Sequence, residues 1–174
     1  GSLPGTKKEA DIISKITNAK LFLEDEASAL NIQMEESPKI LHIATHSFYI
    51  GDNKDDNLFS ENIFSNSITN NKRIENPLLR SGIVLAGANY PDKNLKDDGY
   101  LTALEVSKLN WNGTELVVVS GCESGQGDLQ SGEGVYGLKR AIAVAGARSS
   151  LLSLWKVDDK ATAEFMESFY LKIK

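Results

Sequence analysis

Three side chains in this sequence have the chemistry of a nucleophilic enzyme. They are the single cysteine, Cys122, and the two histidines, His42 and His46. Cys122 and His46 each follow the end of an apolar run rich in β-branched residues or leucine. A thiolate attacks carbonyl groups, and a neighbouring imidazole can accept and return the proton. The pair therefore indicates cysteine-nucleophile catalysis, with His46 as the acid/base partner.

Two predicted strands, Ile40–Thr45 and Leu116–Ser120, must position this pair. Short apolar runs bounded by polar residues and glycines are typical of parallel strands buried on both faces. The carboxyl ends of parallel strands meet at one edge of the sheet, where open α/β folds carry their sites. His42 shares a strand face with His46 but lies deeper, so we interpret His42 as a structural residue.

The remaining pattern alternates strands with helices, which predicts an α/β fold with a mostly parallel sheet flanked by helices. Thr6 with Glu9, and Thr102 with Glu105, have the spacing of helix capping boxes. Gly146 is suited to end a helix. Further strands are predicted at Lys20–Leu23, Gly82–Ala86 and Ser149–Val157, and helices at Thr6–Asn18, Glu24–Asn31, Thr102–Leu109, Val135–Ala145 and from Asp158 onward.

Composition narrows the class of protein. A length of 174 residues predicts one domain, and the helical patterns that run to both ends predict a domain that is incomplete at both. A net charge of −5 disfavours nucleic acid or an anionic membrane as the main partner. One cysteine excludes an internal disulfide and favours a reducing compartment, so we predict a cytoplasmic protein. Nothing in the sequence indicates a metal or a cofactor.

Two further motifs have weaker interpretations. The segment from Gly132 to Gly137 matches G-x-G-x-x-G, but a dinucleotide site needs the first glycine directly after a strand, so we do not assign one. The polar run Asp52–Asn57 lacks the glycine and final glutamate of an EF-hand loop. It belongs to an asparagine-rich stretch, Ser47–Arg80, which predicts a long and partly mobile excursion.

Seven segments, in order along nearly the whole chain, resemble the CHAT domain, a caspase-like cysteine peptidase family of the caspase and separase clan. Each segment is weak alone, but their order and spacing together are specific. They are Leu3–Thr6, Ile40–His46, Asn76–Gly82, Asp98–Glu105, Ser120–Gly125, Ala145–Ser149 and Ser153–Asp159.

The resemblance implies a caspase-like fold and hydrolysis of peptide bonds. Cys122 would attack the scissile carbonyl, and His46 would protonate the leaving amine. Backbone N–H groups of Ser47 and Cys122 would form the oxyanion hole. The family usually has glycine after the histidine, where this chain has Ser47. CHAT domains often follow helical repeats of the TPR type, which implies a bacterial protein with such a domain or a regulatory partner.

Substrate specificity is less well indicated. Several peptidases of this clan carry an acidic residue two positions before the cysteine, where this chain has Ser120. Asp158 and Asp159 are the alternative pocket residues by similarity to separase, although an N-terminal helix-capping role suits them equally. The leading function is a regulated cysteine endopeptidase that cleaves a protein partner. The alternative is a catalytically silent protein-binding module with the same fold.

Overall fold

The computed structural model describes residues 4–50, 76–88, 97–121, 133–153 and 159–173. Its helices are α1 Pro4–Thr17, α2 Ala29–Met34, α3 Ala103–Val106, α4 Glu133–Val144 and α5 Asp159–Ile173. Its strands are β1 Ile40–Ile43, β2 Ser47–Tyr49, β3 Ser81–Val84, β4 Tyr100–Thr102, β5 Leu116–Val119 and β6 Ser150–Leu152. Short 3₁₀ turns cover Glu24–Glu26 and Pro77–Leu79.

The main sheet is parallel, with strand order β1-β5-β6. Its register aligns His42 of β1 with Val118 of β5, and Val118 with Leu151 of β6. The predicted pair of neighbouring parallel strands is confirmed, although both strands end earlier than the sequence pattern indicated. This arrangement brings the carboxyl ends of β1 and β5 side by side.

Helices cover both faces of the main sheet because strand side chains alternate between the faces. Val117 and Val119 point into a core that also contains Trp111, Ala141 and Ile142. Val118 points to the opposite face, where Ile13 of α1 and Met166 and Tyr170 of α5 form a second cluster. Burial on both faces explains why β5 consists of consecutive apolar residues rather than alternating apolar and polar ones.

A second sheet, of order β2-β3-β4, is antiparallel and corrects part of the prediction. Ser47 was expected to begin a long excursion, but it begins β2, in which Phe48 pairs with Gly82 of β3. Phe48 and Ile50 are buried, so this short strand carries its own apolar face. Residues 51–75 of the predicted excursion, including the polar run Asp52–Asn57, lie outside the described residues.

Two local predictions near the N-terminus are wrong. Helix α1 begins at Pro4, so Thr6 lies within its first turn and is not its N-cap. Proline fits a first helical turn because its backbone φ angle is already helical and its missing N–H is not needed there. Lys20–Leu23 forms no strand. Lys20 instead forms an ion pair with Glu35 and lies 4.4 Å from the centre of the Phe22 ring.

The capping box at α3 is confirmed. The Oε2 atom of Glu105 accepts from the backbone N–H of Thr102 at 2.8 Å, and the Glu105 N–H donates to Thr102 Oγ1 at 3.3 Å. Gly146, with φ +105°, follows α4 as predicted. Within the described ranges, no helix combines the length and apolarity that crossing a bilayer requires.

Replacing Thr102 by alanine is expected to lower the free energy of unfolding by about 1–2 kcal/mol, because Thr102 is buried and the variant leaves a helix N–H without its acceptor. Urea denaturation measures this loss. Thr102→Ser retains the hydroxyl and is the matched control, so it is expected to lose less. Equal losses in the two variants would show that the methyl group, not the cap, determines the effect.

Candidate active site

The tips of β1 and β5 are held together by their backbones. The N–H of Ser120 donates to the carbonyl of Ile43 at 3.0 Å, which continues the parallel ladder one residue beyond β5. A Cβ atom added to Gly121 would lie 1.6 Å from the Thr45 carbonyl oxygen and 3.6 Å from the Cα of His46. Only a residue without a side chain fits at position 121, so the two strand ends are in direct contact.

His46 follows this contact point and precedes β2. Its carbonyl accepts from the N–H of Val84 at 2.8 Å, and the neighbouring Thr45 Oγ1 donates to the Val84 carbonyl at 2.5 Å. The imidazole is partly buried, and its Nδ1 atom is buried without a hydrogen-bond partner among the described residues. Buried polar atoms are rarely left in this state, so this nitrogen needs a functional or structural explanation.

Ser47 begins β2 with its N–H directed away from β3. The ladder between these strands has bonds from Val84 to His46 and from Ile50 to Arg80. Ser47 pairs with Ile83, one position from the first bond. Hydrogen-bonded and non-bonded pairs alternate in an antiparallel ladder, so the Ser47–Ile83 pair is of the non-bonded type.

Three predicted site residues lie wholly or partly outside the described structure. Cys122 and Asp158 lie outside the described residues. Asp159 is the first residue of α5, as the acidic start predicted from the sequence, but its side chain is outside the described set. The assignments of Cys122 as nucleophile and of Asp158 and Asp159 as pocket residues therefore stay predictions.

A buried polar network lies on the α1 and α5 face of the main sheet. The Oε1 atom of Glu9 is 2.9 Å from His42 Nε2 and 2.5 Å from Ser120 Oγ. Ser120 Oγ is also 3.1 Å from His42 Nε2, and His42 Nδ1 is 3.1 Å from the Tyr170 hydroxyl. Ser120 and Glu9 are each 3% exposed. The network thus joins α1, β1, the end of β5 and α5.

The two hydroxyl groups of this network can be assigned. The Ser120 hydroxyl donates to the Oε1 atom of Glu9. Burial, with the charge of Glu9 adding to it, raises the pKa of Tyr170 to about 12. Tyr170 is therefore protonated at neutral pH and completes the hydrogen bonding of His42.

The sequence interpretation anticipated some of these positions but not their association. His42 was predicted to be structural, and it lies in this network. Ser120 was predicted as a pocket residue, and its hydroxyl is engaged with Glu9. Glu9 was expected to close a capping box, and its role here was missed. The available signal was a carboxylate at helical spacing from the buried Ile13, on the apolar side of α1.

The G-x-G-x-x-G motif at Gly132–Gly137 does not need a nucleotide to explain its last glycine, because packing explains it. Gly137 lies within α4, and a Cβ atom there would be 2.6 Å from the hydroxyl oxygen of Ser81 on β3. The absence of a side chain lets α4 approach β3 closely. Across the described segments, no three His, Cys, Asp or Glu side chains are grouped as metal ligands would be.

Comparison with known proteins identifies the family of this chain. The family model of the CHAT domain matches residues 1–174, which is the whole chain. No curated protein and no solved structure matches the chain. The parallel sheet with helices on both faces is consistent with part of a caspase-like fold. The chain therefore belongs to the CHAT domain family, and its fold is of the caspase-like peptidase type.

Proposed function

We propose that this chain is a cysteine endopeptidase in which Cys122 and His46 form the catalytic dyad. One observation carries the proposal: Gly121, the residue before Cys122, packs on the Thr45 carbonyl, directly before His46. In the sequence, Cys122 directly follows Gly121 and His46 directly follows Thr45. Membership in the CHAT family supports the same pairing, because Cys122 and His46 lie in segments that resemble the family's motifs.

In the proposed reaction, the thiol proton of Cys122 passes to His46, and the Sγ atom attacks the scissile carbonyl carbon to form a tetrahedral intermediate. The C–N bond then breaks as His46 donates a proton to the leaving amine, which leaves a thioester on Cys122. Water attacks the thioester, the acid product leaves and the thiol is restored. The buried Nδ1 of His46, which has no partner in the described structure, fits a side chain whose hydrogen bonding is completed during catalysis.

The oxyanion of the tetrahedral intermediate requires hydrogen-bond donors placed in advance. We assign this role to the backbone N–H groups of Ser47 and Cys122. The position of Ser47 directly after His46, at the start of β2, supports the assignment. Since a backbone group donates, the serine side chain in place of the family's usual glycine does not remove this donor.

We further propose that the substrate is a protein and that a helical-repeat domain or a regulatory partner controls cleavage. Ser120, Asp158 and Asp159 are the candidate pocket residues. The Ser120 hydroxyl already donates a hydrogen bond to Glu9. If Ser120 lines the pocket, substrate would approach a side chain whose donor is already used.

The test is cleavage of a proteome-derived peptide library by wild-type protein and by Cys122→Ala, with candidate activating partners added. Cuts that disappear in the variant are expected, and the residues around them would define the pocket preference. Cuts that persist in the variant would point to a contaminating peptidase. A complete lack of Cys122-dependent cuts would contradict the proposal and favour a silent protein-binding module.

A further inference from the structure

One carboxylate joins both strands that lead to the proposed dyad. Glu9, on α1, accepts a hydrogen bond from Ser120 at the end of β5, and its Oε1 atom lies 2.9 Å from Nε2 of His42 on β1. Strand β1 leads to His46, and Ser120 is followed by Gly121 and Cys122. A residue from a helix outside the sheet therefore ties together the two segments whose separation matters most for catalysis.

The composition Ser-His-Glu invites comparison with a hydrolytic triad, but the connections differ. In a triad, the two imidazole nitrogens contact different partners, one the nucleophile and the other the orienting acid. Here Ser120 and Glu9 are both near the Nε2 atom of His42, and Nδ1 contacts Tyr170. Ser120 is also only 3% exposed. The network is therefore built to hold its members in place and is not a second hydrolytic site.

Ser120 connects this network to Gly121, the next residue in the chain. The Ser120 side chain is held by Glu9, and its backbone N–H is held by Ile43. Gly121 then lies against the Thr45 carbonyl. Because Ser120 and Gly121 are both held against β1 and the residues that follow it, loss of the Glu9 contact is expected to change the separation of the two strand tips.

We infer that Glu9 is a positioning residue that, through Ser120 and His42, sets the separation of the two strand tips and hence the reactivity of Cys122. The inference rests on the proposed function, since it assigns Cys122 to the reaction. Misplacement of a reacting group by about 1 Å can lower a rate by about 100-fold, so a contact remote from the chemistry can have a large effect.

The experiment compares wild type with Glu9→Gln and Ser120→Ala at pH 7. The first variant replaces the carboxyl group by an amide of the same shape, and the second removes one hydroxyl. Alkylation of Cys122 by iodoacetamide, followed by mass spectrometry of the peptide that contains it, reports thiol reactivity without a substrate. We expect the alkylation rate to fall by about tenfold, because thiolate formation depends on the groups around the sulfur.

Peptide cleavage supplies a second measurement. In both variants, kcat is expected to fall by about 10- to 100-fold because the reacting atoms are displaced. In Glu9→Gln, KM is expected to be unchanged, because Glu9 is not a pocket residue. Glu167→Gln is the matched control, since Glu167 is an exposed glutamate on α5. It is expected to behave as wild type in both assays.

The outcomes separate this inference from the proposed function. An unchanged alkylation rate in folded Glu9→Gln and Ser120→Ala would overturn the inference, even if cleavage were slower. If wild type shows no Cys122-dependent cleavage, the proposed function fails, and the alkylation rates still decide whether Glu9 positions the thiol. Circular dichroism and thermal unfolding identify a variant that does not fold. If Glu9→Gln is that variant, Ser120→Ala decides the outcome.

Discussion

Replacing Cys122 or His46 by alanine is expected to lower kcat/KM for peptide cleavage by about 10⁴-fold or more, and the double variant is expected to be no worse than either single one. Residues that act as one catalytic unit have strongly non-additive effects, because a nucleophile without its partner retains little of its advantage. Initial rates on a peptide identified from the library measure kcat/KM for the three variants.

The dyad is tested by whether the double variant has the same residual kcat/KM as the single variants. If the effects of Cys122→Ala and His46→Ala multiply in the double variant, the two residues act independently, which would contradict the proposed pairing. Lys160→Ala is a suitable control for general effects of substitution, because its ammonium is exposed and 4.0 Å from Glu164. It is expected to cleave peptides at the wild-type rate.

Gly121→Ala is expected to lower both stability and activity. A Cβ atom at this position would lie 1.6 Å from the Thr45 carbonyl oxygen and 2.8 Å from its carbonyl carbon, so the backbones of the two strand ends must separate. We expect the free energy of unfolding to fall by about 3 kcal/mol, at the upper end of the usual range for overpacking. We expect kcat/KM to fall by about 100-fold or more, because the reacting groups would be displaced. Urea denaturation and cleavage kinetics measure the two effects.

Gly113→Ala is the matched control for this prediction. Gly113 has φ +98° and nothing within 4 Å of an added Cβ, so its substitution introduces backbone strain without a collision. The expected loss is roughly 1–2 kcal/mol of stability, with wild-type kcat/KM. Wild-type activity in Gly121→Ala would contradict the view that the contact between the strand tips sets the geometry of the dyad.

The local features of this protein were predictable from its sequence. Strands β1 and β5 were recognisable because burial on both faces requires consecutive apolar residues. The capping box of Thr102 and Glu105 was recognisable because both partners lie within one helical turn. The parallel pairing of β1 with β5 followed from the alternation of strands and helices. Residue type and the motif order then indicated the caspase-like family.

Features that depend on distant residues were not predictable in this way. The antiparallel sheet was missed because β2 has three residues and follows β1 so closely that its pattern is obscured. The N-terminal cap was misplaced because a local spacing of Thr6 and Glu9 matched a rule that Pro4 made irrelevant. In both cases the competing interpretation satisfied the local chemistry equally well.

By itself, the sequence determined the fold class, the two strands and the candidate residues Cys122 and His46, because these depend on short-range periodicity and residue chemistry. Only the tertiary structure decided that Gly121 contacts Thr45, and that Glu9 binds Ser120 across 111 positions of the chain. Such contacts form when the packing of α1 and α5 on the sheet brings distant segments together. Their energies come from burial and matched hydrogen bonds, which no local spacing records.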